Sequence, residues 1–262
     1  MATAVLPVLF VSHGAPTLAL DGGAWGAALK TWADGLSGVR SILVLSAHWE
    51  SSGPVQVMAH PQPDTLHDFG GFPDALYQMR YPSPGDPALA ARVVDLIRGA
   101  GLEAELDPRR PLDHGAWVPL RAAFPEAAIP VIQVSLPVPR TPRQVWELGR
   151  LLGPLRGAGV LIVASGGIVH NLRLLDWSGS PAPEDWAVTF ERWVADRLAQ
   201  PDPSGLFEAA GRAPAYAKAV PTSEHFDPLY FALGAAGDGR IRSVYDGWQY
   251  GSLSLRTWAW NH

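Results

Sequence analysis

Five short runs rich in Val, Ile and Leu constrain this chain more than any other feature: residues 8–11, 41–45, 55–58, 129–134 and 160–163. A strand with one wet face alternates apolar and polar residues. Runs that are apolar at nearly every position instead suit strands covered on both faces, as in a largely parallel sheet. Helical patterns lie between the runs. Asp86 followed by Pro87 reads as an N-cap with proline at the first helical position, and Leu89, Val93, Leu96 and Ile97 then share a face before Gly99 and Gly101 end it. A second helix is expected over 144–155. A third starts near Glu184, with Trp186, Phe190, Trp193, Val194 and Leu198 on one stripe, which reads as core packing. Strand and helix alternate, so the expected class is α/β, with a central mostly parallel or mixed sheet flanked by helices. Residues 241–244 and 253–260 read as late strands, antiparallel to the rest. No repeat or linker interrupts the pattern, and one domain over 1–262 accounts for it.

Composition narrows the chemistry. There is no cysteine, so thiolate metal sites, disulfides and a Cys nucleophile are excluded, and any metal must sit on His, Asp or Glu. The formal net charge is −5 with no basic run, which argues against a nucleic-acid partner. The opening MATAVLPVLF is apolar but lacks a positive start and is broken by Pro7, so it reads as a buried strand and not as a signal peptide. No run of ~18 apolar residues suggests a membrane span, and the expected compartment is the cytoplasm.

The eight histidines carry the functional signal. In open α/β sheets ligands bind beyond the carboxyl ends of the strands. His13 follows the run ending Val11-Ser12, His48 follows Leu45-Ser46-Ala47, and His170 follows the run at 160–165 and a Gly166-Gly167 turn. One histidine in such a place means little. Three on what a parallel sheet makes a single edge suggest a metal site, because neutral imidazole is the commonest side-chain metal ligand. His225, in Thr222-Ser-Glu-His-Phe-Asp-Pro before an apolar helix-like run, and His114, in Leu112-Asp-His-Gly-Ala-Trp, are further candidates. His60 is expected on the surface and His262 to fray. His67 opens His67-Asp-Phe-Gly-Gly-Phe-Pro, which reads either as a lid over an apolar substrate or as an ordinary glycine turn. The glycine-rich dinucleotide and phosphate loops, the Gly-x-Ser-x-Gly elbow and the His-Glu-x-x-His helix are all absent, although Ser12, Ser46 and Ser165 lie near strand ends.

Six segments in order then fit one family. Ser12-His-Gly-Ala-Pro, Ser46-Ala-His-Trp-Glu, His67-Asp-Phe-Gly-Gly-Phe-Pro, Asp113-His-Gly-Ala-Trp, Ser165-Gly-Gly-Ile-Val-His-Asn-Leu-Arg and Glu224-His-Phe-Asp-Pro together resemble the DOPA-dioxygenase branch of the class III extradiol ring-cleaving dioxygenases. The resemblance covers nearly the whole chain. It implies a single α/β domain and one divalent metal on His13, His48 and His225. It implies that His170 is either a fourth ligand or the acid/base residue beside the metal, and that His114 lines the pocket. It also implies a catechol and O₂ as substrates. Class III enzymes use non-haem Fe(II), while members of this branch are often described as zinc proteins.

Both ions suit imidazole, but only iron can pass an electron to O₂, so a dioxygenase needs Fe(II) even where Zn(II) occupies the site. Neighbours on an extended segment point to opposite sides, so Glu224 and His225 are not both ligands, and His225 is the expected one. His170, set further past its strand than His13 or His48, is the expected acid/base residue, with His114 as its partner in proton transfer. Two other readings compete. One is a zinc hydrolase on the same scaffold with Glu224 or Glu50 as base; the other is a binding protein that keeps a metal pocket without catalysis.

Overall fold

A computed structural model describes residues 5–178 and 181–261; the first four residues of the opening run and His262 lie outside the described residues. The apolar runs form one eight-stranded sheet. Its strands are β1 (Val8–Ser12), β2 (Ser41–Ser52), β3 (Val55–Met58), β4 (Ala104–Asp107), β5 (Val131–Val138), β6 (Val160–Gly166), β7 (Arg240–Tyr245) and β10 (Thr257–Asn261). A separate short pair joins β8 (Trp248–Gln249) to β9 (Leu253–Ser254). The order across the large sheet is β4-β3-β5-β2-β6-β1-β10-β7. The four inner strands β5, β2, β6 and β1 run parallel; at one side β10 adds on antiparallel to β1, and β7, antiparallel to β10, runs the same way as the inner strands, unlike the antiparallel strand expected at 241–244. At the other side β3 is antiparallel to β5 and parallel to β4, so the sheet is mixed.

Burial on both faces explains why the inner runs do not alternate. Val8, Phe10, Leu43, Leu45, Ile162 and Ala164 point into one apolar layer, under α3 (Pro87–Gly99), α5 (Pro142–Leu152), α6 (Asp185–Leu198) and α9 (Pro228–Ala236). Their neighbours Leu9, Val11, Ile42, Val44, Leu161 and Val163 point into the other, under α1 (Gly23–Asp34) and α4 (His114–Ala123). Short helices α2 (Asp74–Tyr77), α7 (Ala209–Arg212) and α8 (Tyr216–Ala219) lie in connections. Among the described residues no helix is long and apolar enough to cross a membrane.

The N-cap at Asp86 is as expected: its side chain accepts from Leu89 N at 2.9 Å. Other boundaries move. The second expected helix begins at Pro142, where Thr141 and Gln144 close a capping box, and it ends at Leu152; Gly153–Ala158 continue as a 3₁₀ turn. The strand expected from residue 129 starts at Val131, because Pro130 has no N–H to give a ladder. Residues 253–260 do not make one strand: Leu253–Ser254 pair with β8, and β10 begins only at Thr257. The largest change is at β2, which runs on to Ser52 instead of stopping at Leu45.

Candidate metal centre

That extension places His48. The ladder of β2 to β6 ends at Ser46, and the ladder to β5 lapses between Leu45 and Glu50. Across the lapse β2 advances five residues (45 to 50) while β5 advances two (134 to 136), so residues 46–49 bulge out of the sheet. His48 rides on this bulge. His13 is the first residue after β1, and His170 follows the turn after β6. His225 stands in the loop before α9, and His114 is the first residue of α4, capped by Asp113, whose side chain accepts from Ala116 N. Backbone bonds stitch three of these segments together: His13 N–H donates to Gly166 O at 3.0 Å, and Gly167 N–H donates to His225 O at 2.8 Å. Gly166 has to be glycine here, since a Cβ would come within 2.1 Å of His225 O. Gly115 is held similarly, a Cβ there meeting Ser46 Oγ and the His48 ring.

The result is a cluster of five imidazoles. His48 Nε2 lies 3.1 Å from His13 Nε2 and 3.3 Å from His225 Nε2. His114 packs against His48 with ring centroids 3.9 Å apart. His170 lies flat on His225, with centroids 3.4 Å apart and planes 8° from parallel. Burial, reinforced by the neighbouring imidazoles, pushes His13 and His225 well below the ordinary histidine range and brings His48 and His170 down to about 4. The four rings are therefore neutral at pH 7, each with a lone pair to offer.

Hydrogen bonds fix which way two of those lone pairs point. Ser165 gives its hydroxyl proton to Gly115 O, so it accepts from His13 Nδ1 at 2.9 Å, and His13 Nε2 is left as the bare nitrogen. Glu224 Oε1 accepts from His225 Nδ1 at 3.0 Å, with the same consequence for His225 Nε2. Two lone pairs thus face His48 Nε2. Two nitrogens each about 2.1 Å from one ion, at angles of about 90–110°, stand about 3.0–3.4 Å apart. The observed spacings fall in that range, and a divalent cation answers the donors as they are arranged.

By distance alone, His13, His48 and His114 form one possible ligand triple, and His13, His170 and His225 another, each with nitrogens within 4.8 Å of one another. Direction separates them. A ligand's lone pair lies in its ring plane, and the rings of His170 and His225 are stacked with planes 8° from parallel, so an ion in the plane of one would be offset from the plane of the other.

Asp68, to which sequence reasoning gave no role, anchors the other side. Its Oδ1 accepts from His114 Nδ1 at 2.9 Å and from His114 N at 3.0 Å, and its Oδ2 lies 3.7 Å from His48 Nδ1. Burial raises the Asp68 pKa, but the hydrogen bonds and charge of His114 outweigh it and hold the carboxyl down at about 2. The signal for Asp68 was present in principle: a capped helix that opens on a buried histidine needs a carboxylate for Nδ1, and the polar loop residue in His67-Asp68-Phe69 was available. His67 itself turns away, its Nε2 bonding to Met79 O at 3.0 Å. His60, expected on the surface, is half-buried, and its Nδ1 accepts from Gln62 N.

Two networks brace the cluster from behind. Asp113, fully buried, accepts from Ser46 Oγ, Gln133 Nε2 and Arg110 Nη2, and so ties the β2 bulge to α4. Arg140 gives 2.6 Å bonds to Glu50, two residues past His48, and to Asp227, two residues past His225. Burial disfavours the Arg140 charge, but Glu50 and Asp227 more than restore it; for Asp227 burial wins and raises the carboxyl. Only the Asp227 arm is buried, at 5% side-chain exposure against 44% for Glu50, so that arm dominates. Arg140→Met is expected to cost about 3 kcal/mol by stranding Asp227. Denaturant titration measures this, and adding Asp227→Asn should recover part of the loss; no recovery would mean the pair does not act as a unit.

The cluster floors a cavity of about 680 Å³ walled by Phe69, Gly70 and Phe72 of the His67 loop, by residues 171–177 in part, and by Pro16, Pro221 and Leu253. In that loop Phe69, Gly70 and Phe72 line the cavity. Glu224 and Asp68 also line it, with both carboxylates already engaged. A buried set of neutral nitrogens under a largely apolar chamber is a single metal site built to bind a small organic molecule.

Comparison with known proteins agrees. Residues 8–254 match the family described as the catalytic LigB subunit of aromatic ring-opening dioxygenase, and the chain belongs to that family. It is an enzyme of the extradiol ring-cleaving dioxygenase class. Among its relatives, the 4,5-DOPA dioxygenase extradiol of Escherichia coli K12 is 37% identical over 97% of this chain and 94% of its own. The protein of the same description from Beta vulgaris is 38% identical over 94% of this chain and 92% of its own. Dioxygenase tasH of Hapsidospora irregularis is 32% identical over 84% of this chain and 71% of its own. A crystal structure of an uncharacterized E. coli K12 protein superposes with a TM-score of 0.83 at 32% identity, covering 98% of this chain and all of that one.

Proposed function

We propose that this enzyme cleaves the ring of a catechol of the DOPA type with O₂, that Fe(II) is held by His13, His48 and His225, and that His170 and His114 handle the protons. One observation carries the reading: three imidazole Nε2 atoms, two with lone pairs fixed by Ser165 and Glu224, converge at the floor of the cavity. When bound, Fe(II) supplies redox chemistry toward O₂ that Zn(II) does not have. The chain supplies the rest. His114 lines the chamber and donates its Nδ1–H to Asp68, which leaves Nε2 as the atom that would exchange a proton with a catechol while Asp68 steadies the imidazolium form. His170, neutral and stacked on His225, would relay a proton that it has first accepted. Phe69 and Phe72 exclude water and give the ring an apolar wall.

The hydrolase alternative needs a free carboxylate as base. Glu50 is tied to Arg140 and Glu224 to His225, which removes both named candidates. The test is removal of metal by a chelator followed by O₂ uptake with L-DOPA. Fe(II) is expected to restore uptake and Zn(II) to leave it at background. Hydrolysis restored by Zn(II), without any Fe(II)-dependent uptake, would refute the proposal.

A further inference from the structure

Apart from imidazoles, three charged side chains line the cavity: Asp68, Glu224 and Arg173. The carboxylates are committed, Asp68 to His114, and Glu224 to His225 and to Thr222 Oγ1 at 2.8 Å. Arg173 is not. Among the described residues no carboxylate pairs with its guanidinium, and it is the one arginine or lysine on the cavity wall.

Its placement is fixed by the fold. Arg173 lies in a 3₁₀ turn, Leu172–Leu174, three residues past His170. Asn171, 8% exposed, accepts from Arg173 N through Oδ1 at 3.1 Å and donates through Nδ2 to Lys218 O at 2.8 Å. That pins the turn to the body of the protein. Leu172, Leu175 and Trp177 share the wall around it. An exposed guanidinium on a pocket wall shared with Leu172, Leu175 and Trp177 offers whatever binds there a second handle besides the imidazoles. A planar fork of N–H donors matches a carboxylate. Among the described residues, no uncommitted carboxylate lines the cavity to meet an ammonium.

We infer that Arg173 selects catechols whose side chain ends in a carboxylate, and that an amino group on that side chain contributes little to recognition. The inference rests on the catechol-cleaving reading of the same site. It predicts that L-DOPA and its deaminated counterpart, 3-(3,4-dihydroxyphenyl)propionate, are handled alike, and that both are preferred to neutral 4-ethylcatechol and to the amine dopamine.

The experiment is steady-state kcat/KM for these four compounds on Fe(II)-loaded wild type, Arg173→Gln and Arg173→Glu, with metal content and far-UV circular dichroism on each preparation. Arg173→Gln is expected to lower the ratio of carboxylated to neutral substrate by about 10- to 100-fold, the range for losing a charge-assisted hydrogen bond, chiefly through KM. Arg173→Glu should lower it further and raise dopamine relative to 4-ethylcatechol. A merely structural role would slow all four compounds together and leave the ratios in place. Ratios that stay within about twofold of wild type in Arg173→Gln, or a wild-type preference for L-DOPA over the propionate beyond about tenfold, overturn the inference while leaving catechol cleavage intact. If wild type cleaves none of the four, the underlying reading fails and takes this one with it.

Discussion

His48→Ala is expected to lose bound metal and ring cleavage together. His48 Nε2 is the atom that both other donors approach, at 3.1 Å and 3.3 Å, so its removal leaves two nitrogens that share no central partner. The bulge itself does not depend on the imidazole: it is held by Ser46 and Asp113 and by the Arg110 bond to His48 O at 3.2 Å. The variant should therefore fold. Elemental analysis is expected to find little metal, and turnover should fall by at least about 10⁴, since the metal's share of the rate acceleration goes with it. Glu224→Gln is the control for direction. It sits behind His225, so it should weaken metal affinity by about 10- to 100-fold without abolishing binding. If Glu224→Ala empties the site and His225→Ala does not, the metal is held by a carboxylate and the three-histidine assignment is wrong.

The difference between what the sequence disclosed and what it hid is a difference between local and long-range information. The inner strands were legible because burial on both faces writes itself into consecutive residues, as in Val8 to Val11. The edges were less so: β4 is short and half-exposed, and its Glu105 and Asp107 give no apolar run to detect. Helix α1 was missed because Gly23, Gly26 and a run of alanines dilute its stripe, although Trp25, Leu29 and Trp32 do form it. His13 and His170 stand after the strands that their apolar runs predict. His48 does not stand after its strand, which bulges instead of ending, and a bulge is set by pairing with β5 that no local pattern shows. The partners of the histidines were the least legible. Ser165 is 152 residues from His13 in the chain, Asp68 is 46 from His114, and Arg140 is 90 from Glu50. Ser165 and Asp68 lie inside quoted segments and Arg140 in none, and none announces which ring or charge it meets.

His170→Ala is expected to keep its metal and to lose about 10² to 10⁴ in turnover, the cost of removing a positioned proton-transfer group. The argument is directional. The ring of His170 is stacked on that of His225 at 3.4 Å, so its in-plane lone pairs would pass beside an ion held by His225 and would not meet it. Yet the same ring faces the cavity, next to Asn171, and burial keeps it neutral and able to take or give a proton. Its flat contact could also serve only to hold His225 in place, and alanine would remove both roles at once. His170→Phe separates them, because phenylalanine keeps a flat ring over His225 and has no nitrogen. Metal content by elemental analysis and steady-state turnover on the same preparations give the answer. Near-full metal with slow turnover in both variants assigns proton transfer to His170. Recovery of turnover in His170→Phe would make its role the positioning of His225. Metal lost in step with activity would make His170 a ligand, and His114, with Asp68 behind it, would then carry the acid/base work alone.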